Sequence, residues 1–175
     1  MLVEIDKNSE MVDSYSFGLT TIDTVHRRVH SGCYFGCDYH ASIADTATMI
    51  ILFKNASKEF HFLYEIECVG SVDINVYRKP TITSNGISLT LHCFNDEMKG
   101  TSESTIFHTP IISNNGELWF NRFSLGINAP VVKSLSSIRP GVEKIMDRNT
   151  NYLFRITNSS GGTSIINFWI EGYLT

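Results

Sequence analysis

Apolar and polar residues alternate with a period of two along most of this chain, and turns containing Gly or Asn cut the alternation into short pieces. In residues 59–69, Phe60, Phe62, Tyr64, Ile66 and Cys68 fall on one face, while His61, Glu65 and Glu67 fall on the other. A strand with one buried and one wet face requires that period. Val72, Ile74 and Val76 repeat the pattern against Asp73, Asn75 and Tyr77, and residues 87–93 repeat it after Asn85-Gly86. Residues 60–69 and 71–78 therefore read as a hairpin across Gly70-Ser71, ended by Pro80, which has no N–H to donate. A second hairpin is expected between residues 152–157 and 165–173 across the Asn158-Ser159-Ser160-Gly161-Gly162 turn, with Tyr152, Phe154 and Ile156 facing Ile166, Phe168 and Ile170.

Residues 48–54 are apolar on both faces, which predicts a central strand covered on each side. Residues 25–39 alternate irregularly around Gly32 and Gly36 and predict a bent or bulged strand. Residues 95–104 read as a loop, 105–108 and 117–123 as strands, and 124–138 as an excursion at one end of the sheet. Pro140 and Gly141 leave room for a short turn at most in residues 134–146, and no repeat of 20–50 residues is expected. Strands recurring about every ten residues between turn signals predict an all-β fold. The expected architecture is an antiparallel β-sandwich, jelly-roll-like, in one domain over residues 25–175. Residues 1–24 form either an extended N-terminal arm or a first strand.

Composition narrows the function. The 175 residues are 42% hydrophobic and 11% aromatic, enough for a real core, and the net charge of −4 lacks the basic excess that a phosphate backbone demands. Nucleic acid is not expected as a partner. Cys33, Cys37, Cys68 and Cys93 are too sparse for a disulfide scaffold. The N-terminus has no basic and apolar leader pattern, and the longest apolar run, residues 49–53, is far too short to cross a bilayer. A soluble protein made in a reducing cytoplasm, with no membrane partner, is the expectation.

Candidate chemistry is thin. His26, His30, Cys33, Cys37 and His40 invite a metal reading, but in a strand four residues span about 13 Å, too far for one ion to be shared. Cys68 and Cys93 sit on apolar strand faces, where a thiol is a small hydrophobe. Glu65 and Glu67 lie about 7 Å apart on one solvent face, a spacing that inverting glycosidases use and that ordinary surface alternation also produces. No catalytic, cofactor-binding or metal-ligating residue is assigned. Tyr77, Phe94, Trp119 and Trp169 all fall opposite the inward set of their strands, which predicts a surface covered by the arm or by another subunit. The candidate interface residues are Tyr15, Phe17, His26, His30, Trp119 and Trp169.

Three segments carry a resemblance: Asp23-Thr24-Val25-His26-Arg27-Arg28-Val29-His30-Ser31-Gly32, Arg139-Pro140-Gly141-Val142-Glu143-Lys144-Ile145-Met146, and Asn149-Thr150-Asn151-Tyr152-Leu153-Phe154-Arg155-Ile156-Thr157-Asn158. Together with residues 60–80, they resemble a group of small virion structural proteins of tailed bacteriophages, over roughly residues 23–175. The resemblance implies a non-enzymatic capsid decoration or cement protein on the outer head surface, present in the host cytoplasm during assembly. It implies the major capsid protein and copies of the chain itself as partners, a homotrimer being favoured over a dimer. The Cys33/Cys37 pair departs from the pattern and leaves open a disulfide formed after release; in fresh protein both thiols are expected to be reduced and reactive. The alternative is a ligand- or carbohydrate-binding β-sandwich module, as in a tail or receptor-binding component, which needs exposed, coplanar Trp119, Trp169 and Tyr77.

Overall fold

The computed structural model describes residues 24–97, 100–124, 132–136 and 143–175, with side chains for all of these except 24–26, 124 and 132–136. A helix, α1 (Thr24–His30), precedes fourteen strands: β1 (Tyr34–Ile43), β2 (Thr48–Lys54), β3 (Phe60–Val69), β4 (Val72–Arg78), β5 (Thr81–Ser84), β6 (Ile87–Leu89), β7 (His92–Cys93), β8 (Thr105–His108), β9 (Ile111–Asn114), β10 (Glu117–Ser124), β11 (Val132–Ser136), β12 (Lys144–Met146), β13 (Asn151–Asn158) and β14 (Ser164–Leu174). One sheet runs β11-β3-β14-β1-β7, with β12 also paired to β3; the other runs β10-β4-β13-β2-β8-β6; β5 and β9 form a small third sheet. All ladders are antiparallel. Strands β1 to β4 alternate between the two large sheets; β10 and β13 lie in the second, and β11, β12 and β14 in the first. This is a jelly-roll β-sandwich, as the alternation predicts.

The two expected hairpins are not hairpins. Strand β3 pairs with β14 while β4 pairs with β13, so each connection crosses from one sheet to the other. Alternation fixes which side chains turn inward, but it is the same whether the next strand lies alongside or across the core. The inward sets do face each other, through the sandwich: the Phe154 and Phe168 rings meet edge to face at 5.3 Å, and Phe62 and Tyr64 meet Phe154 at 6.3 and 5.9 Å. Strand β2 is central, with Ile51, Leu52 and Phe53 all fully buried.

The β1–β2, β3–β4 and β13–β14 crossings meet at one end of the sandwich around Asn158, which is fully buried. Its Nδ2 donates to the carbonyls of Ile43 (2.8 Å) and Gly162 (2.7 Å), and its Oδ1 accepts from the Ser160 N–H (3.0 Å). Its backbone exchanges bonds with Thr46 and Ala47, and the Ser159 N–H reaches the Ser71 carbonyl at 2.9 Å. The Asn158 side chain thus ties the β1–β2 and β13–β14 crossings together, and the neighbouring Ser159 backbone adds the β3–β4 crossing.

Residues 25–39 are not a single bent strand. Residues 24–30 are helical, and Gly32 ends the helix in the left-handed region at φ 68°. The Cys33 N–H bonds the Arg28 carbonyl and the Gly32 N–H bonds the Val29 carbonyl, a paired cap that favours glycine. Arg27, Arg28 and His30 in the last turn complement the negative end of the helix. Seven residues are too few for apolar periodicity to announce a helix.

A repeat of thirty residues, not expected from the sequence, organises the outer face of the second sheet. Lys79-Pro80-Thr81-Ile82-Thr83-Ser84-Asn85-Gly86 matches Thr109-Pro110-Ile111-Ile112-Ser113-Asn114-Asn115-Gly116 in its Pro, Ile, Asn and Gly positions. Lys79 and Thr109 both take left-handed backbone, at φ 57° and 51°, and turn the chain out of the sheet; Gly86 and Gly116 return it at φ 87° and 86°. The two copies then exchange partners. Strand β6 pairs with β8, which leads into the second copy, while β10 pairs with β4, which leads into the first. Strands β5 and β9 pair with each other, and Arg155 on the outer face of β13 reaches Asn115 at 3.2 Å. On that same outer face Leu52 and Leu153, opposite each other in the ladder, are fully buried.

Replacing Asn158 by Ala strands two carbonyls and an N–H, and is expected to cost about 2–4 kcal/mol in urea unfolding. A Cβ at Gly116 would collide with the Arg78 carbonyl and Lys79 backbone in addition to straining φ. Gly116→Ala is expected to lose a further-reaching about 2–4 kcal/mol, with β4 and β10 amides losing hydrogen-exchange protection together.

Candidate binding cleft on the outer face of the first sheet

Alternate residues of β1, β14 and β3 project from the outer face of the first sheet, and the register sets them in two rows. Asp38 lies opposite Trp169, which lies opposite Glu65; His40 lies opposite Asn167, which lies opposite Glu67. These six side chains surround a cleft of about 400 Å³. Trp169 is half-buried, and Asn167 donates from Nδ2 to Glu67 Oε2 at 3.2 Å, which fixes the direction of its amide. The indole is braced by Phe94 at 6.3 Å, and Phe94 in turn lies over Gly36, where a Cβ would come within 2.7 Å of its ring. A glycine at that position in β1 leaves room for the ring.

The expected interface residues do not come together. Trp169 lies in the cleft. Trp119 packs inward, 5.1 Å from Tyr152 and 6.2 Å from Phe62, contrary to its expected outward position. The cause is a β-bulge: Leu118 opposes Tyr77 and Phe120 opposes Val76, so Trp119 is the extra residue. Trp119 and Phe120 both pack against the core, and Leu118 is left 54% exposed. Tyr77 is half-buried, so the three coplanar aromatics that a flat carbohydrate platform would need are not assembled. His30 sits exposed at the end of α1 and its carbonyl accepts from Asn95 at 3.0 Å. His26 belongs to the helix, but its side chain, like Tyr15 and Phe17, lies outside the described residues. The strand-spacing argument against a shared His26/His30 ion does not apply to a helix; among the described residues, no group of three or more His, Cys, Asp or Glu could hold a metal.

The four cysteines are free thiols. Cys33 and Cys37 are separated by extended backbone, about 13 Å for four residues, well beyond disulfide reach. Cys37 is only 2% exposed, and burial, followed by the nearby Asp38 carboxylate, pushes its thiol up to about 12 from an ordinary 9.0. Two other polar clusters mark the sandwich edge. Glu143 accepts from Tyr173 at 3.1 Å and lies 3.0 Å from His61 Nδ1, while the Tyr173 ring stacks on His61 and lies under Arg28. Lys144 Nζ, without a hydrogen-bond partner among the described residues, lies over the Tyr64 and Phe120 rings at 5.3 and 5.2 Å, and burial lowers its pKa.

No protein-family model matches the chain, and no curated protein matches it. Among the described residues no helix is long and apolar enough to cross a membrane.

Of the residues around the cleft, the sequence singled out Trp169, Glu65 and Glu67, placed outward, and His40, weighed only as a metal ligand. It did not join them, and Asp38 and Asn167 were missed, because the rows exist only once β14 lies between β1 and β3.

Cys33 and Cys93, both half-exposed, are expected to react with maleimide at neutral pH, and Cys37 only after unfolding, contrary to the expectation of two reactive thiols at Cys33 and Cys37. The measurement is mass spectrometry of peptides labelled with and without urea. Because Cys37 is raised in the folded state, its stabilising contribution is intact below pH 9 and is lost as pH rises toward about 12. Tyr64, Tyr152 and Tyr173 are raised by burial as well, so denaturant midpoints should fall together in alkali.

Proposed function

We infer that this protein is a non-enzymatic structural component of a tailed-phage particle, a decoration or cement protein that binds the outer surface of the head shell. The observation that carries the reading is the placement of exposed apolar side chains on opposite edges of one sheet. Ile87 on the edge strand β6 is 60% exposed, and Leu118 and Phe123 on the other edge strand, β10, are 54% and 58% exposed. Ile111 on β9 adds a fourth at 62%. Open sheet edges carrying large apolar groups are a liability for a protein that stays alone, and natural folds guard against them. A shell protein that touches neighbours on two sides has a use for them.

The reading also accounts for the rigidity of the fold. A sandwich with two crossings tied by one buried Asn, and an outer face capped by its own repeat, can bridge shell subunits with little conformational entropy to lose on binding. The partners in this reading are the major capsid protein and further copies of the chain, as a homotrimer in preference to a dimer.

Quantitative mass spectrometry of purified particles is expected to find hundreds of copies per head; a handful, or none, would overturn the shell reading. Added back to shells lacking it, wild-type protein should saturate at a fixed ratio. Leu118→Asp combined with Phe123→Asp should weaken that binding by tenfold or more, about 1.4 kcal/mol, with unchanged circular dichroism.

A further inference from the structure

We propose that the cleft around Trp169 is a binding site for neutral saccharides. Same-face neighbours on a strand are about 6.7 Å apart and adjacent strands about 4.8 Å apart, so one cell of this grid has the footprint of one pyranose ring. Trp169 lies at the middle of the first row. The negative face of an indole attracts the weakly positive C–H groups that a pyranose presents on one face, and the ring also shields apolar surface from water.

The hydroxyls around such a ring then meet groups suited to them on both sides. Asp38 and Glu65 are acceptors flanking the indole; His40, Asn167 and Glu67 supply a mixed donor and acceptor row beside it. One aromatic face ringed by five polar side chains is more polar than the usual small-molecule site and suits a ligand rich in hydroxyls. Asn167 is already oriented by its bond to Glu67, and Trp169 by Phe94, so part of the ordering cost is met before the ligand arrives.

The lining also selects against other ligands. Three carboxylates with no Lys or Arg among the described lining residues disfavour anions. Asp38 and Glu65 stand on strands either side of β14, about 9.6 Å apart by strand spacing, with the indole between them, so they do not converge on a metal ion. A neutral ring that lies flat on the indole and reaches both walls uses every feature of the cleft. This inference is independent of the shell-binding reading.

The test titrates the full chain with maltotriose, N,N′,N″-triacetylchitotriose and β-1,4-galactotriose, following both indole N–H signals by NMR. At least one trisaccharide is expected to bind with a dissociation constant of about 0.1–10 mM, shifting the Trp169 signal and leaving that of the core Trp119 in place. Trp169→Ala should weaken binding by about tenfold or more with an unchanged melting temperature. Gly36→Ala, which displaces the Phe94 brace and leaves the cleft side chains intact, should weaken it several-fold. If Trp169→Ala is poorly folded, Asp38→Ala serves in its place and should also weaken binding. Silence of all three sugars up to about 20 mM overturns the proposal. So does sugar binding that survives these variants, or a Trp169 shift with spermidine and none with sugar. The assay contains no particles, so its failure and the failure of shell binding are separate results.

Discussion

The interlock of aromatic side chains between the two inner faces is the constraint on which everything else rests. Phe154 sits at its hub, touching Phe62, Tyr64 and Phe168 from the opposite sheet. Phe154 and Phe168 come from strands adjacent in the chain yet placed in different layers, so their contact spans the β13–β14 crossing. Once β3 and β4 bury their apolar faces against each other, neither can pair with the other along an edge, and each must find a distant strand. Strand β14 fills the gap between β1 and β3, and β13 fills the gap between β2 and β4. The outer cleft and the exposed edges are both consequences of that pairing.

On the unbulged strands the face of each side chain was legible in the sequence, and its neighbour was not. A period of two tells inward from outward, and for β3, β4, β13 and β14 the inward sets are the ones expected. It carries no information on whether Gly70-Ser71 closes a ladder or spans the core. The same limit hid the cleft: Glu65 and Trp169 were correctly placed outward, but their meeting depends on a strand contributed by the end of the chain. Trp119 shows a different failure, since one added residue in β10 reverses the parity of everything before it. The helix at residues 24–30 had one usable signal, Gly32 preceded by basic residues, which a bulged strand explained equally well.

The thirty-residue repeat escaped notice because so few positions define it. Only four positions match, a proline at the corner, an Asn-Gly at the return and an isoleucine between them, while the left-handed residue before the proline is Lys79 in one copy and Thr109 in the other. The intervening positions are free because they line opposite sides of a near-symmetric cap, where Thr81 in one copy and Ile111 in the other both stand exposed. Near-symmetry of the backbone thus coexists with an uneven surface. The two edges of the second sheet can therefore offer different contacts, Ile87 on one and Leu118 with Phe123 on the other.

The exchanged turns set an order of events on the nascent chain. Strand β4 emerges early, but its outer partner β10 is made some forty residues later, and β6 likewise waits for β8. Neither copy of the repeat can complete its own hydrogen bonding, so the cap closes as a unit after both have been synthesised. Non-local closure of that kind is slow. Until it happens the β10 side of β4 stands open to other chains, and Leu52 and the β13 side of both β2 and β4 stay open longer, so the hazard of misassembly extends until residue 158 is reached.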